Sequence, residues 1–335
     1  MARSLCCSTR CLLVLFLISA VPIGYVIRLG TAGKAGRQVY EYQSVGWLRE
    51  CSKWDDVNSR FIVSLFEGGM GVVPILPEHH HPKASALEEI QVVKDADLAG
   101  NATLGFTIDR PRNRVVVCIA DILGNRYSAL AAYDITTWNR LFLTKLSGPE
   151  DEKAFADDVA VDEEGNSYVT DPKGGKIWKV GATGQFLATI RNPLFTPPGW
   201  QNQIVGIKGI IYHPNGYFLV VHTMAGQLYK VATNAVAGKE AGPVVRLVKL
   251  VEGGSLKFGD GLELLSPTKL IVAGNPTRLV ETTDDWDTAR VSGVTKGATH
   301  RIVTAATVKD GRVYLNHILG LGYPKRKHIL MEAVF

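Results

Sequence analysis

Apolar residues along this chain come in short runs, rich in valine and isoleucine, that are closed off by turn residues. Val115-Val116-Val117-Cys118-Ile119-Ala120, Tyr217-Phe218-Leu219-Val220-Val221 and Lys269-Leu270-Ile271-Val272 are the clearest. Each follows a cluster of Gly, Pro, Asn or Asp, and each is preceded by another run. That order of strand, turn and strand is a hairpin signature. Helical spacing of apolar positions is poor throughout, so the pattern predicts strands and argues against a helical solenoid.

The hairpins repeat. Segments beginning at Leu104, Asp157, Lys208 and Asp260 align at offsets of 51–53 residues, and a weaker copy begins near Thr304. Such a period marks a fold built of repeated units. The unit from Asp157 reads as four strands, Asp158–Asp162, Ser167–Asp171, Lys176–Val180 and Gln185–Ile190. Four antiparallel strands in about fifty residues describe a propeller blade. Adding a start near Glu67 predicts an all-β, six-bladed β-propeller with four-stranded antiparallel blades over residues 61–335. The last copy lacks residues for a fourth strand. A strand within Arg60–Phe66 is expected to close the ring and remove the exposed edges.

The N-terminus differs. Arg3 and Arg10 precede an apolar run from Cys11 to Ile27, interrupted by Pro22 and Gly24, so residues 1–32 read as a signal peptide or signal anchor and 33–60 as a linker. This points to the secretory pathway, with the chain either anchored at a membrane or lumenal or extracellular. In that setting Asn101-Ala102-Thr103 is a glycosylation sequon. Three of the five cysteines lie in the apolar segment; Cys51 and Cys118 remain, free to pair or to stay as core thiols.

With 335 residues, 46% hydrophobic, the chain can bury a large core, and its net charge of +5 is scattered. The densest basic cluster is Lys325-Arg326-Lys327, and nothing suggests nucleic acid as a partner. His79-His80-His81 is read as a solvated loop. The sequence has no Gly-x-Ser-x-Gly elbow, phosphate loop or Cys-x-x-Cys pair.

In a propeller, residues that precede each innermost strand converge on the central channel. Here they are Leu104, Asp157, Lys208, Asp260 and Thr304; the ends of the second strands add Asp121, Asp171, His222, Asn275 and His317. Converging carboxylates suit a hard cation, since calcium takes roughly 6–8 oxygen ligands. The alternative is that such Asp and Asn residues cap turns.

Leu65-Phe66-Glu67-Gly68-Gly69, the stretch FADDVAVDEEGNSYVTD from Phe155, VGIKGIIYHPNGYFLVVHT from Val205 and FGDGLEL from Phe258 resemble the senescence-marker/gluconolactonase/regucalcin superfamily. The resemblance is greatest to the plant calcium-dependent phosphotriesterase superfamily proteins and runs from about Phe61 to Phe335. It implies a six-bladed propeller with a divalent ion, usually calcium, in the channel. Carried over, the metal ligands are Glu67, Asp157 and Asp260. Asp260 is also the catalytic base or nucleophile, and Lys208, His222, Asn275 and His317 face a small-molecule substrate. Phe155 stands where the family has a substrate-binding arginine, and Lys208 where it has an asparagine ligand.

A protonated lysine has three donors and no lone pair, so Lys208 cannot ligate a metal. Its ammonium is expected either to sit among the carboxylates as a built-in cation or to point away to the rim. The resemblance implies a hydrolase of lactones or organic esters. The alternative is a non-catalytic propeller of the secretory pathway, with a degenerate metal site, that binds a small molecule or a protein.

Overall fold

A computed structural model describes residues 37–75, 87–123, 126–232, 243–252 and 254–335. The apolar segment and its signal or anchor reading, and the histidines at 79–81, lie outside them. Among the described residues the chain is all-β apart from short 3-10 turns, and no helix is long and apolar enough to cross a membrane.

The strands form antiparallel units of four, ordered from inside to outside along the chain. The first unit is Ser52–Asp55, Arg60–Ser64, Met70–Pro74 and Ile90–Val93. The second is Ala102–Asp109, Arg114–Ala120, Ser128–Asp134 and Arg140–Ser147, and the third is Val159–Val161, Ser167–Asp171, Lys176–Val180 and Phe186–Arg191. The fourth unit is Ile207–His213, Tyr217–His222, Gln227–Ala232 and Val244–Glu252. Its outer strand pairs in parallel with that of the fifth, which is Gly259–Ser266, Lys269–Gly274, Thr277–Glu281 and Thr288–Thr295. Val303–Lys309, Arg312–His317 and Arg326–Glu332 form the last unit, to which Val39–Ser44 adds a fourth strand and the short Leu87–Glu88 a fifth, parallel to it.

Each innermost strand packs against the next, and Val303–Lys309 returns to Ser52–Asp55. This radial repetition about a central channel is a β-propeller. The strand that completes the last unit is not Arg60–Phe66, as the hairpin pattern suggested. Arg60–Ser64 is the second strand of the first unit, paired with Ser52–Asp55. Val39–Ser44 pairs antiparallel with Arg326–Glu332, Val39 opposite Met331 and Ser44 opposite Arg326. Residues read as a linker therefore supply two strands.

Burial explains why the second strands are the most apolar. Every residue of Arg114–Ala120 and of Tyr217–His222 is buried, because these strands have neighbouring units on both faces. The outer strands, such as Phe186–Arg191, are largely exposed and mixed in character. The apolar core is divided among the interfaces between units. Met70 and Val72 pack against Val115 and Val117, and Tyr168 and Ile177 against Phe218 and Val220. At the seam Tyr40 and Tyr42 meet Phe61, Tyr314 and Leu330. Each fully buried large apolar side chain contributes about 1.5–3 kcal/mol, so the seam is held by a core as well as by a strand ladder.

Glycines set the width of the channel. A Cβ on Gly209 would overlap the Asp260 carbonyl, and one on Gly261 would lie 2.8 Å from the Thr304 carbonyl oxygen. Inner strands thus approach backbone to backbone, and Gly105 N–H donates to the Asp157 carbonyl at 2.9 Å. At this level the cavity is only about 20 Å³, the size of a single water, whereas about 360 Å³ opens beyond it towards the opposite face.

Candidate functional site

Residues that enter the innermost strands meet at one mouth of the channel. Lys208 lies at the centre. Its Nζ is 2.9 Å from Asp260 Oδ1, 3.3 Å from Glu50 Oε1 and 3.4 Å from Asp157 Oδ1. All four side chains are largely withdrawn from solvent, with side-chain exposures of 6–17%. Their backbones are pinned by neighbouring units. Thr170 Oγ1 donates to the Lys208 carbonyl, and Thr304 Oγ1 and Asn316 Nδ2 donate to that of Glu50.

Three carboxylates share one ammonium, so the cluster is short of positive charge. Burial alone would push the Lys208 pKa down, but Asp157, Asp260 and Glu50 outweigh it and hold it well above its usual value. Burial also dominates at the acids. It pushes Asp260 up to about 7 and Asp157 well above the carboxylate range, with Lys208 pulling both the other way. The physical cause is desolvation of charges in excess of their partners.

A second ionic layer lies deeper. Lys53 Nζ donates to Glu263 Oε2 at 2.6 Å and to the Ala306 carbonyl at 3.1 Å. Asp158 accepts the backbone N–H groups of Val159 and Ile210, and burial raises it to about 6. Sequence reasoning missed Glu50, Lys53, Asp158 and Glu263. Glu50 had a usable signal, since it stands about one repeat length before Leu104.

Glu67, the expected first metal ligand, is elsewhere. It is half exposed in the turn between the second and third strands of its unit, and its Oε2 accepts from Arg49 at 2.8 Å. Arg49 is itself held by a two-pronged bond to Glu89. The carboxylate at the inner-strand position of the first unit is Glu50. The first unit begins earlier than the hairpin pattern suggested, and this moves Glu67 outwards.

The second-strand ends share a structural pattern. Asp121 accepts the backbone N–H of Arg126 and Tyr127, and Asp171 those of Phe155, Lys173 and Gly174. His222 accepts from Ala225 N–H, and Asn275 bonds the Arg301 carbonyl and the Val303 N–H. His317 Nε2 accepts from Ala298 N–H. Asp121, Asp171 and His222 cap the turns that follow their strands, whereas Asn275 and His317 hold the loop at 298–303 that enters the last unit. Both histidines are fully buried, and desolvation lowers each to about 4, so they are neutral at pH 7. Phe155 lies beside Lys173, whose Nζ is 5.9 Å from the ring. Asn101 is half-buried, and the hydroxyl of its sequon partner Thr103 accepts from Gly69 N–H. Cys51 and Cys118 are free and buried, and desolvation pushes the Cys51 thiol up to about 12.

The cluster does not fit calcium. Lys208 contributes no lone pair, and its ammonium stands within hydrogen-bond reach of oxygens a metal would need. Among the described residues no group of three or more His, Cys, Asp or Glu side chains is arranged to hold a metal ion.

No protein-family model and no curated protein matches the sequence. Solved structures do match. A luciferin-regenerating enzyme aligns over 90% of this chain and 96% of its own at 12% identity, with a TM-score of 0.55. A gluconolactonase-like protein aligns over 89% and 92% at 15% identity, TM-score 0.53. A glucose dehydrogenase aligns over 89% and 99% at 12% identity, TM-score 0.54. At these identities the likeness is one of fold, and the fold this chain shares with all three is the β-propeller.

Proposed function

We propose that this chain is a six-bladed propeller that binds a small organic ligand at the channel mouth, with the Lys208 ammonium in the position a divalent cation would take. The observation that carries this reading is the contact of Lys208 with Glu50, Asp157 and Asp260 at 2.9–3.4 Å. At ~4 Å and an effective dielectric near 20, two unit charges interact by about 4 kcal/mol, so a doubly charged ion beside the ammonium would meet about twice that repulsion. The ring of packed inner strands supports the blade number. The apolar run between basic residues near the N-terminus supports entry into the secretory pathway.

The test is a calcium titration by calorimetry on the wild-type protein and on Lys208→Asn. The expected result is no binding by the wild type and measurable binding by the variant, whose amide oxygen would complete an oxygen set. Tight calcium binding by the wild type would sink the proposal.

A second reading, hydrolysis of a lactone or organic ester, is favoured by Asp260. A carboxyl held near 7 is poised for proton transfer at neutral pH. Screening lactones and aryl esters on wild type and Asp260→Asn separates the readings, since a pure binding protein turns over neither class.

A further inference from the structure

Exposed apolar side chains on the loops of this ring are distributed unevenly between its two faces. The face that carries the Lys208 mouth bears Trp47, Phe258, Ile302, Leu321 and Tyr323 in one sector, at 43–89% exposure, and Ile122, Leu123, Trp200 and Ile204 in another. On the other face the described loops carry Val57 alone, joined by Val334 and Phe335 beyond the last strand. Water-facing tryptophan and tyrosine in one cluster mark a contact surface.

The cluster is physically continuous. The Arg326 guanidinium lies 3.8 Å from the Trp47 ring centre and 5.8 Å from that of Tyr323. Gly320 N–H donates to the Trp47 carbonyl, and Arg301 Nη1 donates to the Leu319 and Lys327 carbonyls. Asn275 Nδ2 reaches the Arg301 carbonyl, and the neighbouring Gly274 abuts the Phe258 backbone.

The same loops are basic. Lys257 and Lys296 are exposed, Arg301 and Arg326 stand between them, and none of the four is in ion-pair contact with a carboxylate among the described residues, although Glu41 acts on Arg301 from further away. Lys325 pairs with Glu88, and Lys327 with Glu41, on the surface. In the sector of the first three units the loop charges are mixed, with Asp95, Asp97 and residues 150–152 beside Lys94, Arg126, Lys153 and Lys173.

We propose that this sector docks on an anionic bilayer surface. Tryptophan and tyrosine favour the headgroup level, where an apolar ring and a polar edge are both satisfied. Each lysine or arginine near an anionic leaflet adds roughly fivefold to the affinity, the equivalent of about 1 kcal/mol. The charge complementarity selects lipid over a second copy of this chain, which would present the same basic surface. Docked this way, the channel mouth faces the membrane, and an apolar ligand would reach it from the lipid.

The test uses the full chain, whose apolar N-terminal run can hold it on a vesicle in every arm. The readout is therefore contact at Trp47 and not retention. Vesicles carry lipids brominated near the headgroup, with either phosphatidylcholine alone or phosphatidylcholine and phosphatidylserine. Tryptophan fluorescence should be quenched on the anionic vesicles, with the increment lost in Trp47→Phe. Lys257→Glu/Lys296→Glu/Arg326→Glu should reduce it to the level seen on neutral vesicles. Equal quenching on both vesicle types, or an increment unaffected by Trp47→Phe, would overturn the proposal. So would concentration-dependent dimerisation that buries Trp47 without lipid. Trp47, Lys257 and Lys296 are exposed, Arg326 is half-buried against Trp47, and an unchanged thermal midpoint verifies that each variant folds.

Discussion

Lys208 is where one residue changes the chemistry expected of its surroundings. Its ammonium offsets part of the charge of three buried carboxylates, so removing it leaves them exposed to each other in a poor dielectric. Lys208→Met is expected to cost about 3–5 kcal/mol at pH 8, the penalty for breaking a buried ionic group. At pH 5 much of that loss should vanish, because the carboxyls can take up protons instead. Urea unfolding at the two pH values measures the difference, and an equal cost at both would refute the assignment. The lysine was legible in the sequence because the repeat aligned it with Asp157 and Asp260. Its third partner, Glu50, was marked only by its spacing before Leu104. Cys51-Ser52-Lys53-Trp54-Asp55 has none of the apolar alternation that betrays the other inner strands. Its Asp55 is instead held by ion pairs to Arg60 and Arg110.

The element that positions these groups is the glycine-bearing start of the inner strand. Gly209 lets its strand lie against the Asp260 backbone and so brings Lys208 to the carboxylate. Gly209→Ala should force the strands apart at a cost of about 1–3 kcal/mol, the usual range for overpacking. A lowered urea midpoint with an unchanged m-value would verify this; a wild-type midpoint would count against the close approach. The hairpins were readable because their second strands are buried on both faces and must be apolar. Turn caps were harder to separate from a site. Asp171, His222 and His317 stand at equivalent positions in sequence and point to the mouth only if their turns leave them free. The backbone N–H groups that occupy them come from loops whose path no spacing rule gives.

For the molecule as a whole, two sets of buried groups oppose each other in pH. Desolvation lowers His222, His317 and His328 to about 4, against about 6.5 unfolded. Their contribution is present above pH 6.5 and is lost as pH falls towards 4. Asp158 and Asp260 are raised to about 6 and about 7, and Asp157 and Asp171 are also raised, against about 3.9 unfolded. Their contribution is complete below pH 4 and is lost as pH rises through those values. Between about pH 4.5 and 6 the folded and unfolded chains then bind similar numbers of protons, so stability should be nearly flat, falling as pH rises from 6 to 7.5. Asp158→Asn removes one of the opposing protons. In the flat window its stability should rise with pH by about 1.4 kcal/mol per unit. A wild-type profile already rising by several protons across that window would contradict this balance.

The seam has a consequence for synthesis. Val39–Ser44 leaves the ribosome about 280 residues before its antiparallel partner Arg326–Glu332. At 5–20 residues per second the wait is roughly 15–60 s, far longer than the microseconds in which a hairpin forms. Throughout that interval the strand has only the short parallel partner Leu87–Glu88 on one edge, and its other edge and the Tyr314 and Leu330 part of the Tyr40 and Tyr42 core are missing. A holdase acting on the emerging chain, or a transient pairing with the first unit, would have to cover that open edge until Arg326–Glu332 arrives.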